Sequence, residues 1–262
     1  MTDLVLIKKI NEHTVEVSLN RPDKLNALTK PMWKKIGATF KDFAKKKNKH
    51  LRCIIIRGSG GKSFSPGNDI GEFEKSRSNS KQAKKYGVFL HGALAAIQEC
   101  PVPTIALIEG LCVGGGFEIA ACCDLRICGT SSRFGVPIKR LGLTMAPREL
   151  QALLQLVGRS VTMEILLEGK IFNAKEAYEK GMVNRVVPDQ DVQQEAYATA
   201  ERICEGAPLV ARWHKAFAEQ LIPNIKITDK LNNLGYKCYD TEDFQIGYKS
   251  FLSKTKPKFK NK

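Results

Sequence analysis

Three short runs of nearly uninterrupted apolar residues constrain this chain most: Cys53-Ile54-Ile55-Ile56, Thr104 to Ile108 and Leu125 to Cys128. A strand that is apolar along its whole length must be covered on both faces, as in a parallel sheet with helices packed over it. Helical sequence separates the runs. Pro31 opens one helix, with Trp33, Ile36, Phe40, Phe43 and Ala44 as its apolar stripe. A second spans Val88 to Ile97 and stops before Pro101-Val102-Pro103. Leu4 to Ile10 and His13 to Asn20 read as two strands joined at Asn11-Glu12, the second alternating apolar with polar residues. Repeated strand–loop–helix units predict an α/β core. After Leu150 the sequence reads as mainly helical, with one short strand near Val183 to Val187. A composition shift near residue 190 divides the 262 residues into a core over 1–195 and a helical C-terminal region over 196–262.

Composition removes several classes. Hydrophobic residues make up 43% and charged residues 26%, an ordinary globular balance. The N-terminus has no cationic segment leading into an apolar one, and no apolar run approaches the ~18–20 residues of a membrane span. The eight cysteines form no C-x-x-C pair, which reads as reduced thiols in a cytoplasmic protein and not as a disulfide framework or metal site. The net charge is +15. Lys34, Lys35, Lys41, Lys45, Lys46, Lys47, Lys49 and Arg52 cluster in and after the first helix, and such a field attracts anions. A solvated helix face outweighs nucleic-acid binding as the reading, because no aromatic interleaving or RNA module accompanies the lysines.

Two glycine-containing loops follow apolar runs. Gly58-Ser59-Gly60-Gly61-Lys62-Ser63 fails the phosphate-loop pattern, since Ile56 stands where the first glycine belongs. No G-x-G-x-x-G occurs either. Gly114-Gly115-Gly116-Phe117-Glu118 is more promising. Its glycines allow close backbone approach and leave unpaired N–H groups at a helix start, which suits a developing oxyanion. Glu118, one turn on, suits proton transfer beside a carbonyl.

Several ordered segments together resemble the crotonase (enoyl-CoA hydratase/isomerase) superfamily along essentially the whole chain. They are Leu19 to Leu28, Ser63 to Ile70, Gly110 to Asp124, Phe134 to Pro137, Gly181 to Pro188 and Thr241 to Asp243. The resemblance implies a spiral of β-β-α units with a C-terminal helical region, assembled as homotrimers or dimers of trimers. It implies an acyl-CoA thioester substrate and no cofactor. Asn68 and Gly115 match the positions whose backbone N–H groups hold the thioester oxygen, and Glu118 matches one of the two hydratase glutamates. Asn26, Ala27, Pro66, Gly67, Asp69, Ile70, Gly114 and Ile138 fall on substrate-binding segments. Tyr86 and His91 lie where the family often has a mobile segment over the acyl pocket, and Lys254, Lys256 and Lys258 read as a solvated tail.

The chain departs from the family at Ile138, where the second hydratase glutamate is expected, and again at Leu143-Thr144-Met145-Ala146-Pro147-Arg148. The expected activity is hydration of an enoyl-CoA through a stabilised enolate. Isomerisation, thioester hydrolysis and decarboxylation are the alternatives. Asp69, Glu72 and Glu149 are candidates for a replacement acid, with no spacing that selects among them.

Overall fold

The computed structural model describes residues 3–221 and 228–260. Its first hairpin joins β1 (Val5–Lys9) to β2 (Thr14–Leu19), antiparallel with Val5 opposite Leu19. The Asn11 side chain closes the turn by accepting from the backbone N–H groups of His13 and Thr14. All six residues of β2 are buried, Glu16 and Ser18 included, so its alternation does not mark a solvated face. Glu16 lies 3.7 Å from Arg57 and accepts the Tyr197 hydroxyl, which accounts for its burial.

From there the chain winds by a repeated move. β3 (Cys53–Gly58) leads to β4 (Ser63–Ser65), β5 (Thr104–Ile108) to β6 (Leu111–Val113), and β7 (Leu125–Gly129) to β8 (Arg133–Gly135). The first strand of each pair joins one sheet and the second joins another. With β9 (Phe172–Asn173) and β10 (Arg185–Val187), the orders are β1-β2-β3-β5-β7-β10 and β4-β6-β8-β9. Every pairing is parallel except β1–β2 and β8–β9. This is the expected β-β-α spiral, but the second sheet falls where the sequence reads as loop, in Gly110 to Gly116 among other places.

Helices pack on the inner face of the large sheet. α1 (Lys30–Phe43) buries Met32, Trp33, Ile36 and Phe40 against it. After the single turn α2 (Phe73–Ser76) comes α3 (Ser80–Gln98), which starts eight residues before the expected Val88 and is capped by the Asn79 side chain. The outer face carries Cys53, Ile55, Ile105, Leu107 and Ile127. Val192, Ala196 and Ala200 of α7 (Val192–Glu205) cover it, after α4 (Gly115–Ala121), α5 (Pro147–Glu168) and α6 (Ala174–Glu179). The expected domain boundary at 195/196 falls inside α7. Beyond it lie α8 (Pro208–Leu221), α9 (Asp229–Gly235) and α10 (Glu242–Leu252).

α5 amends the reading of the chain as lacking any span-length apolar segment. It has 22 residues, and an 18-residue stretch of it reaches a mean hydropathy of 1.2, enough by length and composition to cross a membrane. Its backbone leaves the helical region at Gly158 (φ 70°, ψ 174°), and Leu153 and Ile165 pack in the core, so it is two short segments of a packed α/β protein. On the lysine-rich segment, Asp42 bonds Lys45 and Lys47 at 3.0 Å each, and these contacts hold its carboxyl down at about 2.

Gly92 lies within α3, and a methyl group there would meet nothing within 4 Å. The Gly92→Ala variant is expected to gain about 0.5–1 kcal/mol from helix propensity, a rise in Tm of roughly 2–4 °C by calorimetry. An unchanged or lower Tm contradicts this.

Candidate active site

A cavity of about 480 Å³ opens between the two loops singled out by sequence and the C-terminal helices. One wall is residues 66–69, the other the β6–α4 turn. Gly114 makes that turn with φ 53° and ψ −126°, a conformation open to glycine and costly for other residues. The two walls touch: a Cβ on Gly67 would lie 2.9 Å from the Gly115 nitrogen, and one on Gly115 would lie 3.5 Å from the Asn68 side-chain amide.

The backbone bonds around these walls follow a pattern. Leu28 N–H donates to Gly67 O and Asp69 N–H to Leu28 O. That parallel bridge turns the Asn68 N–H outward. Gly67 N–H donates to Ser65 Oγ, and Gly114 N–H to Gly135 O. Gly115 begins α4, so its N–H has no partner within the helix. Among the described residues, no acceptor takes the N–H of Asn68 or of Gly115. The Asn68 side chain is fixed separately, by the Trp33 indole N–H at 2.8 Å.

Glu118 sits one turn into α4, on the cavity wall and 6% exposed. Its Oε2 is buried without a hydrogen-bond partner. Burial pushes its carboxyl well above the ordinary carboxylate range, Glu149 pushes it further, and Arg77 opposes both. Arg77 is itself buried on the cavity wall. It stacks on Phe73, Tyr86 and Tyr239 at 4.6, 4.8 and 5.4 Å and donates to the Tyr239 hydroxyl. Apolar groups from several elements, among them Ile70, Leu141, Leu143 and Leu252, complete the cavity.

Most residues expected at the site are here. Ala27, Pro66, Gly67, Asn68, Asp69, Ile70, Gly114, Gly115, Glu118 and Ile138 all line the cavity. Asn26 does not line it. It is fully buried, with φ 65°. Its side-chain nitrogen donates to Ser59 O and Ser63 O, and its side-chain oxygen accepts Arg21 N–H. All its polar groups are spent holding the loop together. Asp69 lines the cavity but is occupied by Arg21 at 3.0 Å and by Gly71 N–H. Glu72 lies outside it, accepting from Lys30 N–H and the Tyr86 hydroxyl. Tyr86 and His91 belong to the body of α3 and not to a segment over the cavity.

Sequence reasoning did not identify Arg77, Tyr239, Phe251 or Leu252 as cavity residues. Nothing local marks them, because the fold brings them together across up to 175 positions. Other chemistry is poorly supported. Among the described residues no three His, Cys, Asp or Glu side chains group as metal ligands. Burial pushes the Cys123 and Cys128 thiols up to about 12, which makes them poor nucleophiles.

The sequence model of the enoyl-CoA hydratase/isomerase family matches residues 9–262. The chain belongs to that family. It is 31% identical to the crotonyl-CoA hydratase of Syntrophomonas wolfei, with 98% of each chain covered. It is 33% identical to a probable mitochondrial enoyl-CoA hydratase 2 of Arabidopsis thaliana, covering 93% of this chain and 80% of that one. Among solved structures, an enoyl-CoA hydratase/carnithine racemase from Magnetospirillum magneticum is 41% identical with a TM-score of 0.82, covering 100% and 97% of the two chains. A methylmalonyl-CoA decarboxylase bound to 2-nitronate-propionyl-CoA superimposes with a TM-score of 0.88 at 28% identity, with full coverage of both. Membership makes this chain an enzyme that processes acyl-CoA thioesters, and the β-β-α spiral is the family's fold.

Proposed function

We propose that the enzyme adds water to an α,β-unsaturated acyl-CoA. The observation that carries this reading is the pair of unspent amides at Asn68 and Gly115 on touching walls of one cavity, with the buried carboxyl of Glu118 beside them. The thioester oxygen accepts both N–H groups. As water adds to the β-carbon, the double-bond electrons move toward that oxygen, and each donor is worth about 3–4 kcal/mol against the developing charge. Glu118, whose burial favours the protonated form, then supplies the proton to the α-carbon, and the proton shed by the adding water passes to a second base. No step calls for a cofactor.

A second reading is decarboxylation, favoured by the match to methylmalonyl-CoA decarboxylase and by the apolar side chain of Ile138 on the cavity wall. It uses the same amides, with carbon dioxide leaving from the α-carbon. Short, long, branched and carboxylated acyl-CoA thioesters, incubated with enzyme and followed by mass spectrometry, separate the two. Hydration is expected, seen as the gain of one water on enoyl substrates. Loss of carbon dioxide from a carboxylated substrate, with no hydration of any enoyl-CoA, overturns it in favour of the second reading.

We place the enzyme in the cytoplasm, as a homotrimer or dimer of trimers. Six of its eight cysteines are buried as free thiols, which fits a reducing compartment. Leu209, Trp213, Phe217 and Leu221 of α8 stand exposed, an apolar face that suits burial against another copy.

A further inference from the structure

Ile138 brings no proton-transfer group to the cavity, so the hydration reading needs a base for the attacking water from elsewhere. Among the described residues, three carboxyl groups line the cavity: Asp69, Glu118 and Glu149. Asp69 is ion-paired with the Arg21 guanidinium at 3.0 Å, so its charge is already matched by a cation. Burial favours the protonated form of Glu118, which suits it to give a proton to the α-carbon more than to take one from water. Glu149 remains.

Glu149 stands in the first turn of α5, directly after Leu143 to Arg148, where the sequence departs from the family pattern. Its geometry is fixed from two sides. Oε2 accepts the Ala146 N–H at 3.1 Å, and Oε1 lies 2.9 Å from Nε2 of His91 on α3. The contact joins two helices across 58 residues of sequence and leaves both side chains mostly buried, at 11% and 13% exposed. His91 is packed in turn beside the Tyr236 ring, with centroids 6.3 Å apart. The Arg77 guanidinium feels both carboxyl groups, drawn by Glu149 and opposing the neutrality of Glu118. The Glu149 side chain favours a proton on Glu118, so the two carboxyl groups act on each other across the cavity.

We propose that Glu149 is the second catalytic carboxylate of this enzyme, the base that deprotonates the attacking water, and that His91 is the residue that positions it. This rests on the hydratase reading. The step balances. Water gives one proton to Glu149 as its oxygen bonds to the β-carbon, and the α,β double bond becomes the enolate held by Asn68 and Gly115. Glu118 passes its proton to the α-carbon and the enolate collapses to the thioester. The enzyme is left with Glu149 protonated and Glu118 ionised, and one proton transfer between them through solvent restores the starting state.

Two rates separate the roles. Hydration of crotonyl-CoA uses both carboxyl groups, whereas exchange of the α-protons of butyryl-CoA in heavy water starts from the ionised fraction of Glu118, which takes the α-proton while the amides hold the enolate, and needs no base at position 149. The Glu149→Gln variant is expected to lose one to two orders of magnitude in hydration kcat with little change in KM, and to keep α-proton exchange within a few-fold of wild type. Glu118→Gln should lose both rates. His91→Gln, which retains the Glu149 carboxylate, should lose a smaller part of hydration and none of the exchange, and it carries the test if Glu149→Gln does not fold. Full hydration by Glu149→Gln, or equal loss of both rates in either position-149 or position-91 variants, overturns the role of Glu149. A wild-type enzyme that exchanges α-protons but hydrates no enoyl-CoA overturns the hydratase reading itself, and this proposal with it.

Discussion

Replacing Glu118 with glutamine is expected to slow turnover of an enoyl-CoA by roughly 10²–10⁴-fold while the fold stays intact. Glutamine matches the shape of the protonated acid but cannot deliver a proton to the α-carbon. Binding of the thioester should survive, because the amides of Asn68 and Gly115 are backbone groups. The same variant tests the charge state. Burial holds the folded-state carboxyl well above its ordinary value of 4.5, so ionising it costs folding free energy. The neutral form's advantage is full below pH 4.5, where both folded and unfolded states are protonated. It is lost as pH rises from there through the raised folded-state value. Glutamine does not titrate, so the Tm of wild type should fall relative to Glu118→Gln across that range. Calorimetry of both proteins over a pH series measures the difference, and a gap that does not vary with pH would mean the carboxyl is not held neutral.

Why some of this was legible in the sequence and some was not follows from the range of the interactions. Cys53 to Ile56, Thr104 to Ile108 and Leu125 to Cys128 announce the large sheet because each run is long enough and apolar enough to demand cover on both faces. β4, β6 and β8 have three residues each, too few for any alternation to register, so β4 and β6 read as loop and β8 goes unmarked. In β2 the polar residues Glu16 and Ser18 imitate a solvated face. Arg57, from β3, is what allows Glu16 to be buried, and nothing in β2 itself reveals that partner.

The site divides in the same way. Gly67, Asn68, Gly114, Gly115 and Glu118 lie in two continuous segments, and the ordered motifs found them together. Asn26 was assigned to substrate because it lies in a motif, but its side chain closes the loop onto Ser59 and Ser63. Glu149 was one acid among three with nothing to select it. Its contact with His91 depends on how α3 lies against α5, a tertiary fact. Arg77 looked like one more cation in a basic chain until three aromatic rings enclosed it.

The Gly67→Ala variant should damage catalysis more than its size suggests, lowering kcat by about 10²–10³-fold, the cost of losing one oxyanion donor. Gly67 has φ 97°, where a side chain adds strain of order 1–3 kcal/mol. The added Cβ would lie 2.9 Å from Gly115 N, 3.0 Å from Val113 O and 3.4 Å from Gly114 Cα. All three are backbone atoms and cannot swing aside like the end of a flexible side chain. The walls must therefore part, carrying the amide of Asn68 away from that of Gly115. Apolar contacts deeper in the cavity, such as those with Ile70 and Leu143, are untouched, so KM should change less than kcat. Steady-state kinetics with crotonyl-CoA, read beside the Tm, distinguishes this from general unfolding. A folded Gly67→Ala enzyme that turns over within threefold of wild type would mean the two amides do not act as a pair, because no arrangement that keeps both on one oxygen leaves room for that methyl group.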